Sequence, residues 1–255
     1  MVTGDPIIQV RGLTAAYGDS IILEGLNFEI RRGEVFVILG GSGCGKSTLL
    51  KHLIGLIPPA AGEILIDGRD FGSATGRERA RILEMFGVTY QSGALFGSLT
   101  LSENITLALE EFTDLPVAAR ELVARMKLAL VGLEQFGGHF PSEVSGGMQK
   151  RAAIARAMAL DPLVLFLDEP SAGLDPVTSA GLDDLIRTLN RTLGVTFVIV
   201  SHELPSIYAV ADRVIMLDQS TKGIIAEGAP DFLRDHDTNP FVHAFFHREP
   251  GEGAR

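Results

Sequence analysis

The segment Gly40-Gly41-Ser42-Gly43-Cys44-Gly45-Lys46-Ser47 constrains this chain more than any other feature, because it has the form G-x-x-x-x-G-K-[ST]. A continuous apolar run, 34–39 (EVFVIL), precedes it and reads as a strand buried on both faces. A helical pattern follows from Lys46 through Ile57 and is stopped by Pro58 and Pro59. Strand, glycine-rich loop and helix together form a cradle for phosphate. Glycines let backbone N–H groups turn inward around phosphate oxygens, and the helix N-terminus adds partial positive charge. Lys46 supplies a mobile point charge for β- and γ-phosphates, and Ser47, followed by Thr48, supplies a hydroxyl that can ligate Mg²⁺. The plainer alternative is a glycine-rich turn with a helix cap at Ser47 or Thr48. Cys44 reads as a small residue facing away from the ligand; a thiol activated by the helix N-terminus is the alternative.

A second apolar run, Leu163-Val164-Leu165-Phe166-Leu167, ends in Asp168-Glu169. Two carboxylates at the end of a buried strand are costly unless they serve a cation or a donor. Open α/β sheets bind ligands at the carboxyl ends of their strands. Asp168 is thus a candidate Mg²⁺ ligand and Glu169 a candidate to polarise an attacking water; an acidic loop stopped by Pro170 is the alternative. Further strands fit 87–90, 195–200 and 213–217, and shorter, glycine-punctuated ones fit 7–10, 26–30 and 63–67 as antiparallel strands would. Between about Ser92 and Leu160 the pattern turns helical, at 101–110, 117–132 and 146–159, without adding a strand.

Composition closes off other classes. Lysines and arginines number 22 against 32 aspartates and glutamates, a formal charge of −10, so a basic groove for nucleic acid is not expected. One cysteine excludes an internal disulfide framework and a cysteine-based zinc site. No stretch approaches the roughly 18 apolar residues of a membrane-spanning helix, and MVTGDPIIQV does not read as a signal peptide.

Six features in order resemble the ATP-binding-cassette (ABC) ATPases over nearly the whole chain. Gln91, in YQSGALF, follows the phosphate loop where that family has its Q-loop. Val144-Ser145-Gly146-Gly147-Met148-Gln149 is similar to the LSGGQ signature, with Val for Leu and Met for Gln. Asp168-Glu169 match the Walker B pair, Ser171-Ala172-Gly173-Leu174-Asp175 the D-loop, and His202 the switch histidine. Tyr17, in AAYGD, sits where the family stacks an aromatic on adenine. The resemblance implies an α/β chain: a P-loop NTPase (RecA-like) core, an antiparallel β subdomain and an inserted α-helical subdomain. Residues 1–240 would be the ATPase domain, with the helical subdomain at about 92–160, and 241–255 a short C-terminal tail.

The resemblance also implies ATP and Mg²⁺ as cofactors, with Ser47, Gln91 and Asp168 toward the metal and Glu169, His202 and Gln91 toward catalysis. A second copy would be the head-to-tail partner: its Ser145, Gly146 and Gly147, at a helix N-terminus, would complete a phosphate site, and Asp175 would bridge the two sites. A separate membrane permease is implied, which places the chain at the cytoplasmic face of the inner membrane. QSGALFGSLTLSENI, Met148 after the SGG core, and IIAEG before a short tail resemble the ATPase of Mla-type, Mce-associated lipid transporters. That adds two expected partners, a small regulatory subunit and a periplasmic lipid-binding Mce protein. The alternatives are the ATPase of another ABC importer or exporter, a soluble non-transport ABC protein, and a nucleotide-binding scaffold without turnover.

Two apolar segments complete the reading. Leu95, Phe96, Leu99 and Leu101, within 92–104, are expected to line in part a groove for a permease helix. Phe241, Phe245 and Phe246 are expected to dock on a partner ATPase or accessory subunit, with packing on the chain's own surface as the alternative.

Overall fold

A computed structural model describes residues 4–18, 20–91 and 93–249, with the side chain of Tyr17 outside the described part. The chain divides into two compact units, Met1–Ala74 with Val198–Arg255, and Thr75–Phe197.

The first unit opens with β1 (Pro6–Tyr17) and β2 (Ser20–Arg31), followed by β3 (Val35–Gly40), α1 (Lys46–Leu53), β4 (Ala61–Ile66) and β5 (Arg69–Asp70). β1 pairs antiparallel with both β2 and β4, and β4 with β5, giving the antiparallel sheet expected from the short strands. β1 and β2 each run 12 residues, well beyond 7–10 and 26–30. Their register shifts between Val10 and Leu13 and again near Ala15, which breaks the period-two alternation that would have revealed the full lengths. Every residue of β3 is buried. α1 ends at Leu53 rather than Ile57, because Gly55 takes a φ of 69° and the chain turns back, Leu56 N–H donating to Lys51 C=O at 2.9 Å.

The second unit contains α2 (Gly76–Glu84), β6 (Phe86–Thr89), α3 (Leu101–Phe112), α4 (Val117–Leu130), α5 (Gly146–Ala157), β7 (Val164–Asp168) and α6 (Pro176–Leu193). β6 and β7 are parallel, and Phe86 meets Phe166 edge-on at 5.4 Å. α3 begins on a reciprocal capping box: Glu103 N–H donates to Thr100 Oγ1 at 3.2 Å and Thr100 N–H to Glu103 Oε2 at 2.7 Å. β6 lies so close to α5 that a Cβ on Gly87 would fall 2.0 Å from the Ala157 carbonyl oxygen.

The chain returns to the first unit along β8 (Thr196–Val200), then forms α7 (Leu204–Val210), β9 (Arg213–Asp218), β10 (Gly223–Gly228), α8 (Pro230–His236) and α9 (Pro240–His247). β3 is parallel to β9, and β9 antiparallel to β10. The phosphate-loop strand thus has the all-apolar, parallel setting its sequence requires. The α/β class expected above is the one observed.

Candidate functional site

In the first unit, β3 delivers the chain into the glycine loop and α1 leaves it at Lys46. The loop is closed by its own lysine: Lys46 Nζ donates to Gly40 C=O at 2.8 Å and Gly41 C=O at 2.9 Å. Gly45 caps α1 with φ 102° and offers no side-chain acceptor to the helix's N-terminal donors. That uncapped terminus, beside Lys46 and the exposed Ser42, Gly43 and Ser47, suits a polyphosphate. Gly40 is fixed by crowding as much as by ligand approach. At φ 145° a Cβ would lie 2.4 Å from Cys44 Sγ and 2.5 Å from the Leu217 carbonyl oxygen. Cys44 is buried, and burial pushes its thiol pKa up against the opposing pull of Lys46. The thiol therefore stays protonated at neutral pH, and the activated-thiol reading loses its physical basis. Thr48 is half-buried in the first turn of α1. His202 is exposed two residues past β8, in a turn closed by Glu203 N–H donating to Ser201 Oγ at 3.1 Å. Tyr17 ends β1, but its side chain lies outside the described residues.

In the second unit, α5 organises two of the expected motifs. Ser145 is its N-cap, accepting from Met148 N–H at 3.3 Å, with Gly146 and Gly147 as the first turn. The Gln149 amide turns back to the Pro141 carbonyl at 2.9 Å and the Val144 carbonyl at 3.3 Å, so it braces the signature loop. Further along the helix, Lys150 donates to the Gln91 carbonyl and Arg156 to the Ala94 carbonyl at 2.6 Å. The stretch after β6 is thus tied to the signature helix through its backbone, leaving the Gln91 side chain exposed.

Asp168 ends β7 half-buried, and Glu169 follows with φ 47°, in the left-handed region that a non-glycine residue rarely adopts. Asp175 is the N-cap of α6, its carboxylate accepting from Val177 N–H and Thr178 N–H, each at 3.1 Å, and from the Thr178 hydroxyl at 2.5 Å. The Thr178 hydroxyl bond, followed by the backbone donors, holds the Asp175 carboxyl below the ordinary carboxylate range. A lowered folded pKa contributes stability that is complete above the unfolded value and is lost as pH falls through the folded one. Asp175→Ala should therefore lower the melting temperature at neutral pH, with the deficit closing only below the ordinary carboxylate range. A deficit constant across an acid titration would show that the cap's charge is immaterial.

Sequence reasoning missed Asn104, which is 1% exposed. Its amide donates to the carbonyls of Phe96, Leu99 and Thr100 at 2.9–3.1 Å, and its Oδ1 accepts from Phe96 N–H at 2.8 Å. Four bonds from one buried side chain hold 96–100 in shape while the Phe96 ring stays 52% exposed. Phe96, Tyr90, Leu107 and Phe112 line a mainly apolar cavity of about 640 Å³, with Glu84, Glu111 and Arg156 among its polar groups. Leu101 is buried in the unit, while Leu95 and Leu99 are partly exposed. The tail differs from expectation at Phe246: it is buried in the first unit with Val242, against Tyr208 at 6.1 Å and Phe245 at 5.4 Å, so it is spent on its own chain.

The donor types suit a hard cation as well as a polyphosphate: Ser47, Gln91 and Asp168 offer hydroxyl, amide and carboxylate oxygens of the kind Mg²⁺ takes. Among the described residues, no helix is long and apolar enough to cross a membrane.

A family model described as "ABC transporter" matches residues 23–172. The chain is 43% identical over 238 residues to the probable ribonucleotide transport ATP-binding protein mkl of Mycobacterium leprae, covering 93% of this chain and 68% of that one. It is 40% identical over 228 residues to the intermembrane phospholipid transport system ATP-binding protein MlaF of Haemophilus influenzae, covering 89% and 85%. A dimeric ATP-binding cassette solved in a post-hydrolysis state with ADP and Pi superposes with a TM-score of 0.77 at 31% identity, covering 87% of this chain and 98% of the other. The chain spans about two thirds of the length of the mycobacterial relatives.

Proposed function

Because the chain belongs to the ABC transporter family of ATP-binding subunits, we propose that it powers phospholipid movement through a separate membrane permease at the cytoplasmic face of the inner membrane. The ATPase activity comes with the family. The lipid cargo is carried by a single observation, the 40% identity to the MlaF phospholipid-transport subunit across 85% of that protein's length. The mycobacterial relative named for ribonucleotide transport favours a second reading, with a nucleotide cargo.

In this reading the phosphate loop, with Lys46 and the N–H groups from Gly41 to Thr48, takes the β- and γ-phosphates. Tyr17 stacks on the base. Mg²⁺, held by Ser47, Gln91 and Asp168, would neutralise phosphate charge when bound. Glu169 accepts the proton of the attacking water, and His202 donates to the γ-phosphate. A second copy presents Ser145, Gly146 and Gly147, whose capped helix N-terminus is an anion site, so ATP joins the two copies and hydrolysis separates them. Asp175, besides capping α6, lies in the segment that bridges the paired copies.

The groove beside Phe96 suits one occupant, a short cytoplasmic helix of the permease. Its apolar lining takes that helix's apolar face, and Glu84, Glu111 and Arg156 offer pairs for charges of both signs. Reconstitution with the permease in phospholipid vesicles tests the whole reading. ATP-dependent transfer of labelled phospholipid is expected, and transfer of ribonucleotide without lipid would replace lipid by nucleotide as cargo. Phe96→Ala should leave nucleotide binding by the isolated chain intact and reduce coupled transport by about 30-fold, the scale of losing a central aromatic anchor. Normal transport in that variant would move the coupling surface elsewhere.

A further inference from the structure

Helix α6 meets α5 at one small side chain. Thr178, half-buried in the first turn of α6, carries a hydroxyl and a methyl, and the two branches reach different motifs. The hydroxyl donates to Asp175 Oδ2 at 2.5 Å. The methyl fills the place that a side chain on Gly147, in the first turn of α5, would need: a Cβ there would lie 2.4 Å from Thr178 Cγ2. A Cβ stands one bond from its Cα, so the methyl carbon is within about 4 Å of the Gly147 Cα itself, a van der Waals contact. About one turn further along each helix, Arg151 Nη2 donates to the Gly181 carbonyl at 3.4 Å, so the two helices stay joined beyond this point.

Burial sorts the residues at the junction. Gly147 is buried, whereas Ser145, Gly146 and Asp175 are exposed. The φ of Gly147 is outside the left-handed region, so its backbone does not require glycine, and alanine is the better helix former. What excludes a side chain at 147 within this copy is the Thr178 methyl. Serine at 178 would supply the hydroxyl and valine the methyl. Threonine supplies both from one stiff, β-branched centre, which fixes the two contacts relative to each other.

We propose that Thr178 is a positioning residue of the paired state, holding the serine–glycine turn and Asp175 at a fixed spacing so that both meet the partner copy together. The proposal rests on the reading that two copies close around ATP. It assigns the missing side chain of Gly147 to packing beneath Thr178.

ATP-driven pairing of the full chain tests it, in the Glu169→Gln background and read as mass by sedimentation velocity. Binding of a fluorescent ribose-labelled ATP to the single copy is measured beside it. Thr178→Ser and Thr178→Val each remove one branch. Each should weaken pairing roughly three- to tenfold, with ATP binding by the single copy unchanged. Gly147→Ala forces a methyl into an occupied place and should weaken pairing by about tenfold or more. The decisive variant is Gly147→Ala with Thr178→Ser, in which the new methyl takes the space of the lost one. It should pair within about threefold of the parent, a recovery that independent defects would not give. Parent-like pairing in either Thr178 variant would overturn the proposal. So would no recovery in the double variant, which would show that Gly147 is kept for the partner's nucleotide. Loss of ATP binding by the single copy would overturn it too, assigning Thr178 to the fold instead of to pairing. If Glu169→Gln with ATP stays a single copy, the paired reading falls and the role of Thr178 with it. If it pairs and the Thr178 variants pair equally well, only the role of Thr178 falls.

Discussion

Replacing Glu169 with glutamine should lower ATP turnover in the assembled transporter by about 10²–10⁴-fold, the range for loss of a general base, while nucleotide binding persists and the ATP-bound dimer accumulates. The amide keeps the shape and polarity of the carboxyl but cannot accept the proton of an attacking water. The substitution also leaves the backbone problem untouched, because glutamine at φ 47° is as uncomfortable as glutamate. Such conformations cost on the order of 1–3 kcal/mol and persist where surrounding structure over-determines them. Here the next turn is locked by Ala172 N–H donating to the Glu169 carbonyl at 3.2 Å and Leu174 N–H to the Ser171 carbonyl at 3.1 Å. Glu169→Gly should therefore melt higher than Glu169→Gln while being equally inactive, separating the chemical role from the strain. Turnover near the parent's in Glu169→Gln would place the base elsewhere. Equal melting temperatures would show that the turn carries no strain.

The loops were legible because their chemistry restricts residue type. Few alternatives to glycine suit Gly40 or Gly45, and a buried strand ending in Asp168-Glu169 needs a reason to exist. α5 was legible for a related cause: Ser145 before two glycines and an alanine-rich run is a helix start. The sequence marks the start of α6 as well, with Asp175 followed by Pro176, but the same aspartate belongs to a family motif, which masks its capping role. The full lengths of β1 and β2 are hidden in the sequence because their bulges interrupt the alternation. Asn104 escaped notice because a polar residue on a helix reads as solvent-facing. Only the fold shows it turned inward, onto the loop carbonyls of Phe96, Leu99 and Thr100. The burial of Phe246 was illegible for the opposite reason: composition marks an aromatic cluster as sticky but does not say which surface it meets.

Least legible was the pairing that holds the phosphate-loop strand in place, and the largest stability effect is expected there. Glu34, 3% exposed, lies 179 residues from Arg213 in sequence, yet the guanidinium grips both its carboxylate oxygens, at 2.7 and 2.9 Å. Arg213 also donates to the Glu29 carbonyl at 2.6 Å and to Glu227, and lies 5.0 Å over the Phe36 ring. Glu34 in turn accepts from Arg31 N–H at 2.9 Å. The pair closes the turn before β3 and joins it to the start of β9, where Phe36 is in register with Arg213. Arg213→Met keeps the apolar stem but strands a carboxylate in the interior, and should destabilise the fold by about 3–5 kcal/mol. Urea unfolding should show a lower midpoint with little change in slope. Changing Glu34→Leu as well removes the orphaned charge, so the double variant should recover much of the loss. If it recovers nothing, the ties of Arg213 to Glu29, Glu227 and Phe36 outweigh its bond to Glu34. A single variant losing less than about 1 kcal/mol would mean that Glu34 is not held as a buried charge at all. Because β3 runs directly into Gly40, a fold weakened at this pair should also bind nucleotide less tightly as temperature rises, well before the chain as a whole unfolds.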